Sequence, residues 1–339
     1  MFIRNDTYSY LSKLSFQKVI NIIGLYVTYQ FSKFLRKPFS YFYPSSIAIE
    51  PTTSCNLRCP ECPSGLRSFT RPTGMLQTDS FRLLIDQLYQ KISYLTFYFQ
   101  GEPYLNPQFL EMVAYASQRK IYTATSTNAH YLNDQMAKAT VASGLDRLII
   151  SIDGTTQDTY QSYRVGGKLA TVIEGTKNVL KHRAALKSNT PHVIFQFLVV
   201  KPNEHQIEDA KRLAKEIGVD DIHFKTAQIY DYQEGSPLIP SVGKYSRYKK
   251  TKQGTYQLKN KLVNSCWKMW HSCVITWDGK IVPCCFDKDA QHSLGTLKKE
   301  DFQEIWFGKA YNKFRKAILK SRAEIDICTN CTEGTKVFA

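Results

Sequence analysis

Six short runs rich in β-branched and aromatic residues, alternating with stretches of helical periodicity, constrain this chain more than any other feature. They are IAIEPT (47–52), YLTFYFQG (94–101), IYTATSTN (121–128), RLIISIDG (147–154), HVIFQFLVV (192–200) and DIHFKTA (221–227). Near-continuous apolar runs of this length read as strands buried on both faces. The intervening segments carry helix signals. In TDSFRLLIDQLYQ, Thr78 is the expected N-cap, and Phe81, Leu84, Ile85 and Leu88 share a face. In NPQFLEMVAYA, Asn106 caps, Pro107 takes the first helical position, and Phe109, Leu110, Val113 and Ala114 point inward. Gly144 and Gly218 stop the helices of NDQMAKATVASG and IEDAKRLAKEIG. Strand–helix alternation repeated this often requires parallel strands with right-handed crossovers, and it places working residues on the loops after the strands.

One such loop, directly after the first run, carries Cys55, Cys59 and Cys62. The other six of the nine cysteines (266, 273, 284, 285, 328, 331) are confined to the end of the chain. Two separated clusters in a long chain point to metal or redox chemistry in a reducing compartment rather than to a secreted disulfide scaffold. The start, MFIRNDTYSYLSKLSF, lacks a secretory pattern, so the expected location is the cytoplasm. The trio is open to three readings: a zinc site short of one ligand, a chance grouping, or a three-iron grip on a cubane cluster whose fourth iron is left open.

Four regions follow. Residues 1–46 form a helical extension. Its apolar segment 17–35 is interrupted by Asn21, Thr28, Gln30 and Ser32, and falls short of the roughly 20 continuous apolar residues that span a bilayer. A helix packed on the domain behind it is the preferred reading. An interfacial helix is the alternative, because Lys13, Lys18, Lys33, Arg36 and Lys37 flank the segment and suit anionic lipid. Residues 47–230 form the alternating core, 231–265 a basic linker, and 266–339 a small unit with strand-like runs around Asp278-Gly279, a strong hairpin signal, followed by a basic helix and Cys-Thr-Asn-Cys. The net charge of +16 concentrates in 244–261, with seven Lys/Arg and no acid, and in 309–322, with six. An acidic substrate, a membrane surface, or plain solvation accounts for these stretches equally well.

CNLRCPEC (55–62) fits the CxxxCxxC signature of the radical S-adenosylmethionine enzymes, which the chain resembles over about residues 47 to 230. QGEP (100–103) is similar to the family's GGE-type segment, with Gln100 in place of its first glycine. TSTN (125–128) resembles the family's TNG segment, and SIDG with YQSYRVGG (160–167) the segment where a Ser, an Asp and an Arg approach the cofactor. The resemblance implies a partial (β/α)6 barrel and a [4Fe-4S] cluster held by Cys55, Cys59 and Cys62, whose vacant iron is chelated by S-adenosylmethionine. It also implies cofactor contacts from Gly101, Glu102, Pro103, Asn128, Ser151, Asp153 and Arg164.

CWKMWHSCVITWDGKIVPCCFD, then LGTL, EIW and CTNC, resemble the SPASM or shortened twitch module, a cysteine-rich hairpin-plus-helix domain. Adjacent strand residues face opposite ways, so only one of Cys284 and Cys285 should ligate. The resemblance selects Cys266, Cys284, Cys328 and Cys331 as ligands of a second, auxiliary [4Fe-4S] cluster, with Cys273 and Cys285 spare; spacing alone does not separate that cluster from zinc. The implied activity is oxidation of a small molecule such as a sugar, aminocyclitol or other alcohol, with the auxiliary cluster as electron acceptor and a flavodoxin or ferredoxin as low-potential donor. Maturation of a ribosomal peptide is the alternative, and a basic zinc protein binding nucleic acid a remote third. Lys225, Asp153, Arg164, Asp278 and Asp287 are candidates for the deprotonating base, and nothing in the sequence ranks them.

Overall fold

The structure, a computed structural model, describes residues 5–259 and 261–332, so the ends of the expected extension (1–4) and of the cysteine-rich unit (333–339) lie outside the described residues. Each of the six runs contains a strand: β1 Ser46–Ile49, β2 Tyr94–Thr96, β3 Tyr122–Thr127, β4 Arg147–Ser151, β5 His192–Val199 and β6 Asp221–Thr226. Short strands β7 Tyr248–Lys250, β8 Tyr256–Leu258, β9 Ser272–Ile275, β10 Lys280–Val282 and β11 Gly295–Thr296 follow. The helices before β4 are α1 Asn5–Ser12, α2 Phe16–Leu35, α3 Pro63–Leu66, α4 Thr78–Leu88, α5 Phe109–Gln118 and α6 Asp134–Ala142. Those after it are α7 Gln157–Tyr163, α8 Leu169–Ala185, α9 Ile207–Ile217, α10 Lys268–His271, α11 Phe302–Phe307, α12 Lys309–Lys320 and α13 Asp326–Thr329.

Several expectations hold and several shift. Phe81, Leu84, Ile85 and Leu88 are the buried face of α4, but Thr78 is its first helical residue and Gln77 the cap. Asn106 does not cap α5, which starts at Phe109. Its side chain ties the preceding turn instead, accepting from Gln108 N and donating to Pro51 O and Leu76 O at 2.9–3.0 Å. Met112 and Ala116 join Phe109 and Val113 on the buried face, and Leu110 and Ala114 are half-buried. Gly218 ends α9 in the left-handed region, as its lack of a Cβ allows. β6 is not buried on both faces: His223 and Lys225 are exposed, as befits the last strand in its order. Residues 231–265, expected as a linker, carry the β7–β8 hairpin, where Tyr248 stacks on Tyr232 at 4.4 Å and donates its hydroxyl to Ile229 O.

The chain divides into two compact units. Of the described residues, the first comprises those up to Ser54, Phe69–Ala124 and 262–332. Its strand order is β11-β10-β9-β1-β2-β3. β9 pairs parallel with β1, placing Cys273 opposite Ile47, and β10 and β11 continue antiparallel, so the late hairpin extends the sheet of the early strands. Buried Trp270 and Trp306 donate their indole N–H groups to Phe39 O and Phe42 O, fixing the segment that leads into β1. The second unit comprises Cys55–Ser68 and Thr125–Lys261. In it β4, β5 and β6 run parallel, and α6, α8 and α9 pack alongside.

Candidate functional site

The cysteine loop belongs to the second unit. Leu57 and Cys59 are buried in a cluster with Tyr163, Val200, Ala227 and Ile229, against which Cys55 and Cys62 pack half-buried. The loop folds tightly onto α3: Cys62 O accepts from Leu66 N at 2.8 Å, and a Cβ on Gly65 would lie 2.6 Å from Cys59 N. The backbone of the α7–α8 turn meets the same loop, with Arg58 N donating to Val165 O.

Beside the loop stand Arg164, Asp153 and Asn128. Arg164 Nη1 stands 3.7 Å from Cys59 Sγ, and its Nε donates to Asp153 Oδ2 at 2.5 Å. Asp153, fully buried, also accepts from Leu198 N at 2.7 Å. Burial opposes Arg164's charge, but Asp153 and Cys59 outweigh it and hold the guanidinium protonated. Burial raises the Cys59 thiol against Arg164's pull. Asn128 donates to Asn56 Oδ1 at 2.7 Å, and Ser151 is buried at the end of β4. His130 was missed by sequence reasoning. Its Nδ1 meets Asn128 O and its Nε2 accepts from Lys168 N at 2.8 Å, bracing the turn after Arg164; burial lowers its pKa. Its only signal was adjacency to TSTN.

The QGEP segment belongs to the first unit. Gly101 has φ +75°, and a Cβ there would sit 2.2 Å from Thr52 O, so only glycine fits against the strand leading to the cysteines. Glu102 N donates to Ser54 O at 2.7 Å. The Glu102 side chain is buried and accepts from Tyr104 N, capping the short turn that Pro103 begins, which makes it a brace. Glu50, also missed, is fully buried at the end of the first run; Arg71 grips it through both Nη atoms and Trp277 N donates to it.

In the first unit, Cys266, Cys284, Cys328 and Cys331 all line one small cavity with Met269, Phe286, Phe314 and Arg322. Arg322, buried, donates to Cys331 Sγ at 3.0 Å. β10 ends at Val282, so Cys284 and Cys285 sit in a turn beyond it and the strand alternation expected for them does not apply. Cys285 lies 3.5 Å from Lys268 Nζ and is not among the residues lining the cavity, and Cys273 is fully buried on β9, where burial pushes its thiol up. Two of the six basic residues in 309–322, Arg315 and Arg322, are thus interior, and Arg315 stacks on Trp306 and Tyr311. Among the base candidates, Asp287 accepts from Gln291 N and His292 N, Asp278 from Thr276, and Lys225 is exposed on β6.

Among the described residues no three Cys, His, Asp or Glu side chains converge closely enough to hold one metal ion. Tetrahedral zinc, with Zn–S near ~2.3 Å, requires such convergence. A cubane spreads its thiolates over separate irons, and the four cysteines lining one cavity are the number that closes such a cluster.

Comparison with known proteins agrees. The sequence profile of the radical SAM superfamily matches residues 49–214, and that of SPASM, an iron-sulfur cluster-binding domain, matches 266–332. A tungsten-containing aldehyde ferredoxin oxidoreductase cofactor-modifying protein from Pyrococcus furiosus is 26% identical over 84% of this chain and 86% of its own length. PqqA peptide cyclase from Gluconobacter oxydans is also 26% identical, over 58% of this chain and 54% of its own. The crystal structure of BtrN with AdoMet and 2-DOIA superposes with a TM-score of 0.52 at 15% identity, covering 87% of this chain and 95% of BtrN. That likeness confirms the partial-barrel fold.

Proposed function

Because the chain belongs to the radical S-adenosylmethionine superfamily and carries a C-terminal SPASM domain, a combination that brings S-adenosylmethionine, a [4Fe-4S] cluster and further iron–sulfur binding, we propose that it oxidises a small non-peptide molecule such as a sugar, aminocyclitol or other alcohol. The observation that carries this reading is the cavity lined by Cys266, Cys284, Cys328 and Cys331. A site closed by four protein thiolates offers no open coordination position, which suits uptake of an electron rather than cofactor binding. When bound, the first cluster and S-adenosylmethionine would supply the radical chemistry that takes a hydrogen atom from the substrate, and the second cluster would accept the electron released, with a proton, as the substrate becomes the oxidised product.

The chain's own residues divide the work. Cys55, Cys59 and Cys62 would hold the first cluster, to which S-adenosylmethionine would bind. Within the second unit Asn128 and Ser151 would contact the cofactor and Asp153 aims Arg164 at Cys59; within the first, the Gly101–Pro103 backbone is the candidate contact. Glu102 braces from behind. A low-potential flavodoxin or ferredoxin supplies the electron that starts the reaction. A non-peptide substrate is supported by the cofactor-modifying relative, which aligns along most of the chain, whereas the peptide cyclase aligns along little more than half. That second alignment keeps peptide maturation as the second reading.

Anaerobic reconstitution should load about eight irons, four per cluster. The triple variant Cys55→Ala, Cys59→Ala, Cys62→Ala should retain about half of them and make no 5′-deoxyadenosine. Deuterium passing from a labelled alcohol into 5′-deoxyadenosine supports the reading. Transfer only from a precursor peptide overturns it in favour of maturation.

A further inference from the structure

Helix α2 is built inside out. Its buried residues are Lys18, Asn21, Leu25, Thr28, Tyr29 and Ser32. Phe16, Ile20, Ile23, Val27, Phe31 and Phe34 are exposed, with Phe16 at 79%, Ile23 at 58% and Phe34 at 84%. At about 100° per residue the two sets fall on opposite sides of the helix. The orientation is pinned by long-range hydrogen bonds. Asn21 donates to Tyr43 O and accepts from Tyr43 N, Ser32 accepts from Phe39 N, and Lys18 Nζ donates to Lys120 O. Gly24 lets the Phe42 ring lie against the helix, where a Cβ would come within 2.3 Å. A slip that turned the apolar stripe inward would break all of these.

The stripe therefore stays outward, continuous for the length of a helix of 20 residues. Its surroundings say what covers it. No acidic residue lies between Asp6 and Glu50, and Asp6 is engaged by the Tyr122 hydroxyl. Lys33, Arg36 and Lys37 are exposed at the C-terminal end of α2. Arg36 donates to Asn264 O, and Asn264 donates to Lys320 O, which brings the exposed end of basic α12 alongside. No helix among the described residues is long and apolar enough to cross a membrane. An apolar face with a basic border and no acids is the chemistry of a helix lying in the headgroup region of an anionic bilayer. We propose that α2 docks the enzyme on an anionic membrane surface, with Phe16, Ile23 and Phe34 in the acyl boundary and Lys33 and Lys37 on the headgroups.

The test uses full-length reconstituted protein and vesicle flotation, with phosphatidylcholine alone or with about one-third phosphatidylglycerol. Wild type floats with the mixed vesicles, weakly with the neutral ones, and less at about 0.5 M salt. F16Q/I23Q/F34Q loses roughly tenfold or more in partitioning, with unchanged iron content and thermal transition, because those side chains pack on little else. K33Q/K37Q loses binding only to the anionic vesicles. As a variant that keeps the apolar face, F34W shows a blue-shifted emission that brominated lipid quenches. Wild type that stays unbound, or a triple variant that floats equally well, overturns the proposal. So does a wild-type dimer, dissolved by the triple variant, that ignores vesicles: the occupant would then be a second copy.

Discussion

The Asp153–Arg164 pair allows a quantitative test of how the cysteine loop is organised. Asp153 is completely buried and its carboxylate meets two donors, Arg164 Nε and Leu198 N. Asp153→Asn keeps the shape and the Leu198 contact but turns an amide toward a guanidinium, donor against donor. Breaking one side of a buried ion pair costs about 3–5 kcal/mol. Arg164 retains 17% side-chain exposure and has Cys59 Sγ 3.7 Å away, so it recovers part of its solvation, and the lower end, about 3 kcal/mol, applies. That is a shift of roughly 150-fold in the unfolding equilibrium. Arg164→Gln should cost about 2–3 kcal/mol, because the stranded Asp153 can take up a proton. The double variant removes both charges and should cost little more than either single one, giving a coupling energy of about 2 kcal/mol or more. Urea unfolding followed by circular dichroism, under anaerobic conditions with clusters loaded, supplies the four stabilities. Additivity within about 0.5 kcal/mol would refute the reasoning, since it would mean that the two groups do not sense each other.

Three further outcomes follow from the same structure. Cys284→Ala should lose about four irons, whereas Cys285→Ala and Cys273→Ala should keep the full complement in an iron and sulfide assay. Gly101→Ala places a methyl group against Thr52 O in a backbone region that side chains avoid, so it should cost about 2 kcal/mol or more and abolish the S-adenosylmethionine-dependent change in the reduced cluster's electron paramagnetic resonance signal. The third concerns pH. Burial, with help from Lys13 and Lys120, lowers the Lys18 pKa from 10.5 to about 8. Between those values the unfolded chain binds more protons than the folded one, so wild type should gain stability relative to Lys18→Met as pH rises from 8 toward 10.5, with no difference in trend below 8. Parallel thermal melts across that range would show it.

The strands were legible because β-rich runs between helical stretches stand out, but burial on both faces holds best for β3, whereas β1, β2 and β4 alternate buried and half-buried residues. β6 lost such burial because a terminal strand has one open side, a property of strand order rather than of local sequence. Helix starts were misread where side chains served a neighbour instead of the helix, as with Asn106, whose partners are Pro51 and Leu76. The cysteine sets were legible as sets because thiols are scarce and their grouping carries information. Their supports were not: Glu50 and His130 act through residues 21 and 38 positions away, a relation no local pattern encodes.

Helix α2 shows most clearly where periodicity stops being informative. A stripe at helical spacing ordinarily names the buried face, since apolar burial at about 25 cal/mol per Å² favours turning it inward. Here the opposite face is buried because Asn21, Ser32 and Lys18 find backbone partners in the 39–43 return and on residues 91 and 120. Each such bond is worth only about 1 kcal/mol net, but a buried donor or acceptor left unmade costs more. Inverting the helix would strand those groups and lose the packing of Tyr29 on Trp267 and Trp270. The polar interruptions that argued against a membrane-spanning segment are therefore the residues that fasten the helix to the enzyme, and the apolar positions between them are available to something outside it.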